Sequence, residues 1–241
     1  MGCLAAALLV VISAPSALAV APGPHEGATA RDWRASAPAD YTSIFAHVPE
    51  LANSGWSACV TPIKWTVDTG ALSPAQSQRA IDDLRWALNA WAEDAGLVFD
   101  FTGTTPLTFD EGAFTLTPRQ GGTPTGRHIF FSYVQSKRST HLRGTTMGEG
   151  SPSSIVPADR EIIRGTAIFR ADYIETVSSQ QTRSLYMHEI GHVLGLAHAQ
   201  SRRNIMYPIV AGQVTLGPGD VDGIRAIAKP CRAASSTAAQ P

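Results

Sequence analysis

The chain has 241 residues, 44% of them hydrophobic, with 19 basic and 20 acidic side chains. This length and apolar content suit one folded domain with tails and exclude a wholly disordered chain. The net charge of −1 provides no basic surface, so we expect neither a nucleic-acid partner nor an anionic membrane.

The first residues have the pattern of a secretory signal peptide. An apolar run at residues 4–12 is followed by Pro15 and by the small-residue sequence Ala-Leu-Ala, which predicts cleavage after residue 19. A membrane anchor is the alternative, but the run is short and is interrupted by proline. We therefore predict a secreted, extracellular protein that loses residues 1–19 and has no membrane attachment afterwards. Residues 20–55, rich in Ala, Pro and Gly, are predicted to form a tail or a removable pro-segment.

The middle of the chain predicts strands and helices in an order typical of an α+β fold. Alternating β-branched and aromatic residues indicate strands, and a one-sided apolar stripe between Ser73 and Gly96 indicates a long helix whose Trp91 faces the core. Residues 103–127 predict loops around a hairpin. The predicted elements are a strand at 63–67, the helix at 74–95, strands at 98–101, 128–134, 143–147 and 162–169, and helices from 178 and from 217 to 228.

One short segment, HEIGHVLGLAH, carries the clearest chemical pattern. His188 and His192 are four residues apart, so on an α-helix both imidazoles lie on one face and reach one ion. Glu189 is rotated by roughly 100° from His188, which suits a general base acting on a metal-activated water. Gly195 predicts the helix end, after which His198 returns as a third ligand. Three protein ligands with an open fourth position are typical of catalytic zinc.

This pattern, HExxHxxGxxH with a methionine downstream, resembles the metzincin clan of zinc endopeptidases. Residues 204–208, NIMYP, are similar to the Met-turn of the matrixin branch, the matrix metalloproteinases. Small bacterial matrixin-like proteins are similar over roughly residues 58–230, most strongly over 185–208. The resemblance implies a twisted mixed β-sheet with a backing helix, an active-site helix and a C-terminal helix.

The resemblance also implies a role for each site residue. His188, His192 and His198 are the implied ligands of one catalytic Zn²⁺, with Glu189 as the general base. Met206 is implied to form a hydrophobic floor beneath the metal.

Further residues are implied to bind the substrate, which would be a protein or peptide. Tyr207 and Pro208 are implied to form the wall of the substrate pocket. The strand at 143–147 is implied to pair with an extended peptide by β-augmentation. We expect the enzyme to be a monomer.

Other metal sites are not indicated by the sequence. Calcium is possible but not placed, because Asp68, Asp172 and Asp222 equally suit caps and turns. No His-x-Asp motif for a structural zinc is present, so His128 and His141 are interpreted as surface or strand residues.

Cys59 and Cys231 are the cysteines that remain after removal of the signal peptide. An even pair in an oxidising compartment predicts one disulfide. Two unpaired thiols are the alternative, and a latent state in which the Cys59 thiolate binds the zinc is another. The catalytic domain is predicted to span 56–232, with a disordered tail at 233–241.

The sequence thus predicts a secreted zinc endopeptidase, and two other functions stay open. A non-catalytic binding module on the same scaffold would be expected to lose Glu189 or a ligand, and none is lost. A zinc hydrolase acting on a non-peptide amide is disfavoured by the third histidine and the Met-turn.

Overall fold

The computed structural model describes residues 40–59, 62–122 and 124–229. The predicted signal peptide, residues 20–39, Cys231 and the C-terminal tail lie outside the described residues, so the predicted domain boundaries remain predictions. In the described part of the chain, every helix is too short or too polar to cross a bilayer.

The described residues form seven strands and four α-helices. The strands are β1 (Ile63–Asp68), β2 (Phe99–Thr104), β3 (Leu107–Asp110), β4 (Thr115–Pro118), β5 (His128–Val134), β6 (Gly148–Val156) and β7 (Glu161–Arg170). The helices are α1 (Pro74–Ala95), α2 (Ala171–Ile174), α3 (Ser179–Leu194) and α4 (Pro218–Ile227). Five strands form one sheet in the order β2-β1-β5-β7-β6, in which β6 is the antiparallel edge strand. The mixed sheet with its helices confirms the predicted fold class.

Helix α1 has the boundaries that its sequence predicts. Ser73 caps its first turn in a capping box with Gln76, and Pro74 occupies the first helical position. Gly96 ends the helix in the left-handed conformation, with φ of 63°. The apolar stripe faces the core, where Trp91 is fully buried and its indole N–H donates to the carbonyl oxygen of Met187 at 2.9 Å. Helix α1 therefore supports α3 from behind.

The two faces of the sheet are covered by different elements. The main core lies between the sheet and helices α1, α3 and α4, and it includes Trp65, Phe131 and Phe169. The hairpin of β3 and β4 covers part of the opposite face, where Leu116 and Phe130 belong to a smaller apolar cluster. The loops and hairpin predicted for residues 103–127 thus contain a real two-stranded unit.

The strand predicted at residues 143–147 is wrong in position. That stretch is a loop with Gly144 in the left-handed region, at φ of 59°, and the edge strand starts only at Gly148. Judged from the neighbouring sequence alone, the glycines at 148 and 150 favour a turn. They form a strand here because β6 lies so close to α3 that a side chain does not fit. A Cβ at Gly150 would lie 2.2 Å from the carbonyl oxygen of Glu189.

Residues 40–59, which precede β1, pack against the folded body. Ile44, Phe45 and Trp56 are each less than 5% exposed and belong to the main core. Backbone bridges join Ser43 to Leu196 and Ser57 to Lys229. The described end of the region predicted as a tail is therefore part of the folded unit.

Candidate metal centre

Helix α3 carries two of the predicted ligands through the middle of the molecule. Ser178 and Gln181 form a capping box at its start, and Gly195 ends it at φ of 109°. The helix is buried on nearly all sides between α1, β6 and β7, which explains why its sequence has little amphipathic character. Its position is consequently fixed by packing on most of its surface.

The three predicted ligand histidines converge on one point. Their candidate ligand atoms all lie within 4.8 Å of one another, and theirs is the one such cluster among the described residues that could hold a metal ion. The Nε2 atoms of His188, His192 and His198 are buried and have no hydrogen-bond partner. Three unpartnered imidazole nitrogens that face each other fit the tetrahedral nitrogen coordination that Zn²⁺ accepts.

Backbone carbonyls fix the orientation of two of these rings. The Nδ1 atom of His188 donates to the carbonyl oxygen of Ile205 at 2.7 Å, and that of His192 donates to the carbonyl oxygen of Leu196 at 2.7 Å. Because Nδ1 carries the proton in each ring, the Nε2 lone pair is left free for a metal. Burial lowers the pKa of His188 to about 4 and holds the pKa of His192 well below its usual range, which favours the neutral, ligating imidazole.

The segment after the third histidine forms a turn beneath the three converging histidines, His188, His192 and His198, which are called the triad below. Met206 is 2% exposed, and its sulfur packs against the backbone of α3, since a Cβ at Gly191 would lie 2.2 Å from the sulfur. The buried carboxylate of Asp220 accepts from the backbone N–H groups of Ile205 at 2.6 Å and Met206 at 3.1 Å. Helix α4 thereby holds the turn whose carbonyl orients His188.

Glu189 lies beside the triad and is 1% exposed. Its Oε2 atom has no hydrogen-bond partner, while the backbone N–H of Gly150 donates to its carboxylate. Burial and the nearby carboxylate of Glu149 raise the pKa of Glu189 well above its usual range. A buried carboxyl with a raised pKa beside a metal-binding cluster is typical of a catalytic acid or base.

The other predicted site residues lie next to this turn. Tyr207 and Pro208 follow Met206 directly and are half-buried. The guanidinium of Arg202 lies 5.5 Å from the centre of the Tyr207 ring, and its Nε donates to the phenol oxygen at 3.3 Å. Ile209 and Val210 come next, 43% and 37% exposed, and leave an apolar surface beside the turn.

Sequence reasoning missed two buried partners near Glu189. His141 and Glu149 are paired at 3.0 Å between Nδ1 and Oε2, and the Nε2 of His141 donates to the carbonyl oxygen of Glu111. The interpretation of His128 and His141 as surface or strand residues is correct for His128, which lies on strand β5, and wrong for His141, whose buried side chain lies on the loop before β6. No sequence motif links residues 141 and 149, so tertiary packing alone reveals the pair.

Two of the three aspartates considered for calcium accept hydrogen bonds from protein groups, and the third, Asp222, is exposed on α4. The Asp68 carboxylate accepts from the N–H groups of Gly70 and Leu107, and Asp172 accepts from Ser136 and Arg170. The hydrogen bonds of Asp172 to Arg170 and Ser136 outweigh its desolvation and lower its pKa to about 2.

Comparisons with known proteins agree with this geometry. Residues 127–228 match the family model described as matrixin. The matched region begins just before β5, ends just after α4 and contains the histidine triad and Met206. Metalloendoproteinase 1 of Glycine max is 45% identical over 51 residues, which are 20% of this chain and 17% of that protein.

Proposed function

Because residues 127–228 match the matrixin family model and contain the histidine triad, we propose that this chain is a matrixin-like, zinc-dependent endopeptidase. The observation that carries the proposal is the convergence of three buried, unpartnered Nε2 atoms next to the buried carboxylate of Glu189. His188, His192 and His198 would hold the metal. Zn²⁺ bound there supplies Lewis acidity, which lowers the pKa of water and polarises a substrate carbonyl.

Glu189 is the proposed general base. Its unpartnered Oε2 accepts the proton of the attacking water and later delivers that proton to the leaving amine. The Gly150 amide restrains the carboxylate during both transfers. The backbone carbonyls of Ile205 and Leu196 hold the two helical imidazoles, so that little reorganisation accompanies the reaction.

The proposed substrate is an extended peptide. Strand β6 is the edge of the sheet and runs beside Glu189, so a peptide added along its free edge would pass the triad. Tyr207 and Pro208 are proposed to line the adjacent pocket, supported by their position directly after Met206. The exposed Ile209 and Val210 favour an apolar side chain there.

Secretion and a Cys59–Cys231 disulfide are part of the proposal. The support for the disulfide is that the Ala58 N–H donates to the carbonyl oxygen of Lys229 at 2.9 Å. This bond brings the chain next to Cys59 close to the residue two positions before Cys231.

The test is hydrolysis of an unstructured protein substrate by residues 20–241. The purified chain is assayed after zinc loading, after removal of zinc with a chelator, and after zinc is restored. We expect cleavage that is lost on chelation and regained with zinc. Cleavage that survives chelation would contradict the proposal.

Two further outcomes identify the alternatives. A zinc-loaded chain that cleaves no protein or peptide but retains them on a column would indicate a binding module. Hydrolysis confined to small non-peptide amides would indicate the amide hydrolase. Either outcome would overturn the endopeptidase assignment while leaving the metal site in place.

A further inference from the structure

Residues 42–44 form a backbone connection to the loop that joins the second candidate ligand to the third. The Ile44 N–H donates to the carbonyl oxygen of Gly195 at 2.9 Å, and the Ala197 N–H donates to that of Thr42 at 2.8 Å. Ser43 and Leu196 form the antiparallel bridge between these bonds. The carbonyl of Leu196 also orients His192, so this pairing reaches the metal centre directly.

Asp40 extends the connection past the third histidine. Its Oδ1 accepts from the backbone N–H of Gln200 at 2.8 Å, and its Oδ2 accepts from that of Ser201 at 2.8 Å. The side-chain amide of Asn204 donates to the same Oδ2 at 2.7 Å. One carboxylate therefore collects three donors from the short loop after His198.

Asn204 transmits this anchoring to the turn and to helix α4. It is 3% exposed, and its Oδ1 accepts from the backbone N–H of Gly219 at 2.9 Å. Gly219 has no room for a side chain, because a Cβ would lie 2.1 Å from the carbonyl oxygen of Asp40. The loop from His198 to Met206 is thus held between Asp40 on one side and α4 on the other.

We propose that residues 40–44, here called the strap, position the third zinc ligand, with Asp40 as the positioning residue. The strap contributes no ligand. It holds both ends of the loop that carries His198: backbone pairing fixes the loop before this histidine, and the Asp40 carboxylate fixes it afterwards. His198 needs such support because, unlike the two helical histidines, it lies on a loop outside α3.

Residue chemistry explains why an aspartate serves here. A carboxylate accepts several N–H donors at once, whereas an asparagine side chain has one carbonyl oxygen and would point its own N–H₂ group at a donor. Loss of Asp40 would leave the donors of residues 200, 201 and 204 to water and would release the loop. The metal would then dissociate more readily, since groups that orient ligands typically contribute 10- to 100-fold in metal affinity.

The inference rests on the proposed zinc site and is tested by zinc release. The full chain is loaded with zinc, and transfer to a chromogenic chelator is timed for the wild type, Asp40→Ala, Asp40→Asn and Asp222→Ala. Asp222 is an exposed residue of α4 and serves as the matched control. We expect roughly 10-fold faster release for Asp40→Ala, a smaller increase for Asp40→Asn and no change for Asp222→Ala.

A destabilised control separates positioning from general loss of stability. Leu116→Ala, in the hairpin cluster remote from the strap, is measured beside the Asp40 variants by urea unfolding of the metal-free chains. Wild-type release by Asp40→Ala would overturn the inference, as would equal acceleration by Leu116→Ala at the same loss of stability. A wild-type chain that takes up no zinc would instead overturn the proposed function.

Discussion

The buried histidines fall into two groups according to what their ring nitrogens contact. In the triad, every Nε2 is left without a partner and faces the other two rings. In His141 both nitrogens are hydrogen-bonded, and in His128 the Nε2 pairs with the Thr66 hydroxyl at 2.7 Å while the buried Nδ1 has no partner and belongs to no cluster of metal ligands among the described residues. The first arrangement suits a metal, whereas the second stabilises the sheet and its connecting loops.

The lowered pKa of buried His128 should make the stability of the protein depend on pH. Burial, with smaller effects of Arg164 and Lys64, lowers its pKa from 6.5 to about 4. As the pH falls between these values, the unfolded chain takes up a proton that folded His128 does not, so the folded state loses stability. We expect the free energy of unfolding to decrease by about 2 kcal/mol over this window.

Urea unfolding of the metal-free protein at several pH values between 7 and 4 tests this expectation. In His128→Gln the side chain cannot charge, and its share of the decrease should disappear. The triad histidines are the same in both proteins, so only the difference between the two curves is interpreted. Identical curves would show that His128 does not contribute.

At the scale of single elements, hydrophobic periodicity and helix caps were enough to predict most helix and strand boundaries. The boundaries of α1 and β5 and the start of α3 follow from Ser-Pro or Ser caps, an apolar stripe and an alternating run. The edge strand at 148–156 could not be placed, because its glycines are explained only by the close approach of α3. The strap could not be predicted for a similar reason, since the hydrogen-bond donors to Asp40 lie about 160 residues further along the chain.

A side chain added at Gly150 is expected to push strand β6 away from helix α3. A Cβ there would meet the carbonyl oxygen of Glu189 at 2.2 Å and its carbonyl carbon at 2.9 Å, and both atoms belong to the backbone of a buried helix. We expect Gly150→Ala to cost about 1–3 kcal/mol of stability and to lower turnover by displacing the amide that donates to Glu189. Urea unfolding and the hydrolysis assay measure both effects.

Gly112→Ala is the matched control for this substitution. Its Cβ would meet only the Asp110 carboxylate, at the ordinary contact distance of 3.5 Å. We expect it to change stability and turnover little. A Gly150→Ala protein that behaves like this control would contradict the close packing of β6 on α3.

At the scale of the whole molecule, motif and fold were predicted more fully than the boundaries of the folded unit. The HExxHxxGxxH pattern identified all three histidines that converge, because helical spacing and a glycine stop determine their relative positions. The resemblance led to the correct fold class. The packed segment at 40–55 was missed, because its composition has no period and its order comes from tertiary contacts.

The proposed disulfide predicts a large contribution to stability. A Cys59–Cys231 bond would close a loop of about 170 residues, for which chain entropy gives an upper value of roughly 5 kcal/mol. Mass spectrometry of a non-reduced digest should find the two cysteines in one linked peptide pair. The double variant Cys59→Ser/Cys231→Ser should unfold at a lower temperature, and free thiols at both positions in the secreted protein would contradict the pairing.

The most direct test of the central claim is the turnover of the zinc-loaded Glu189→Ala variant relative to the wild type at equal zinc content. Glu189 lies beside the triad but is not among the three histidines that converge, so the variant should still bind one zinc ion. We predict that its cleavage of a protein substrate falls roughly a hundredfold to ten-thousandfold, the share that a general base supplies. Wild-type turnover by the zinc-loaded variant would contradict the proposed mechanism.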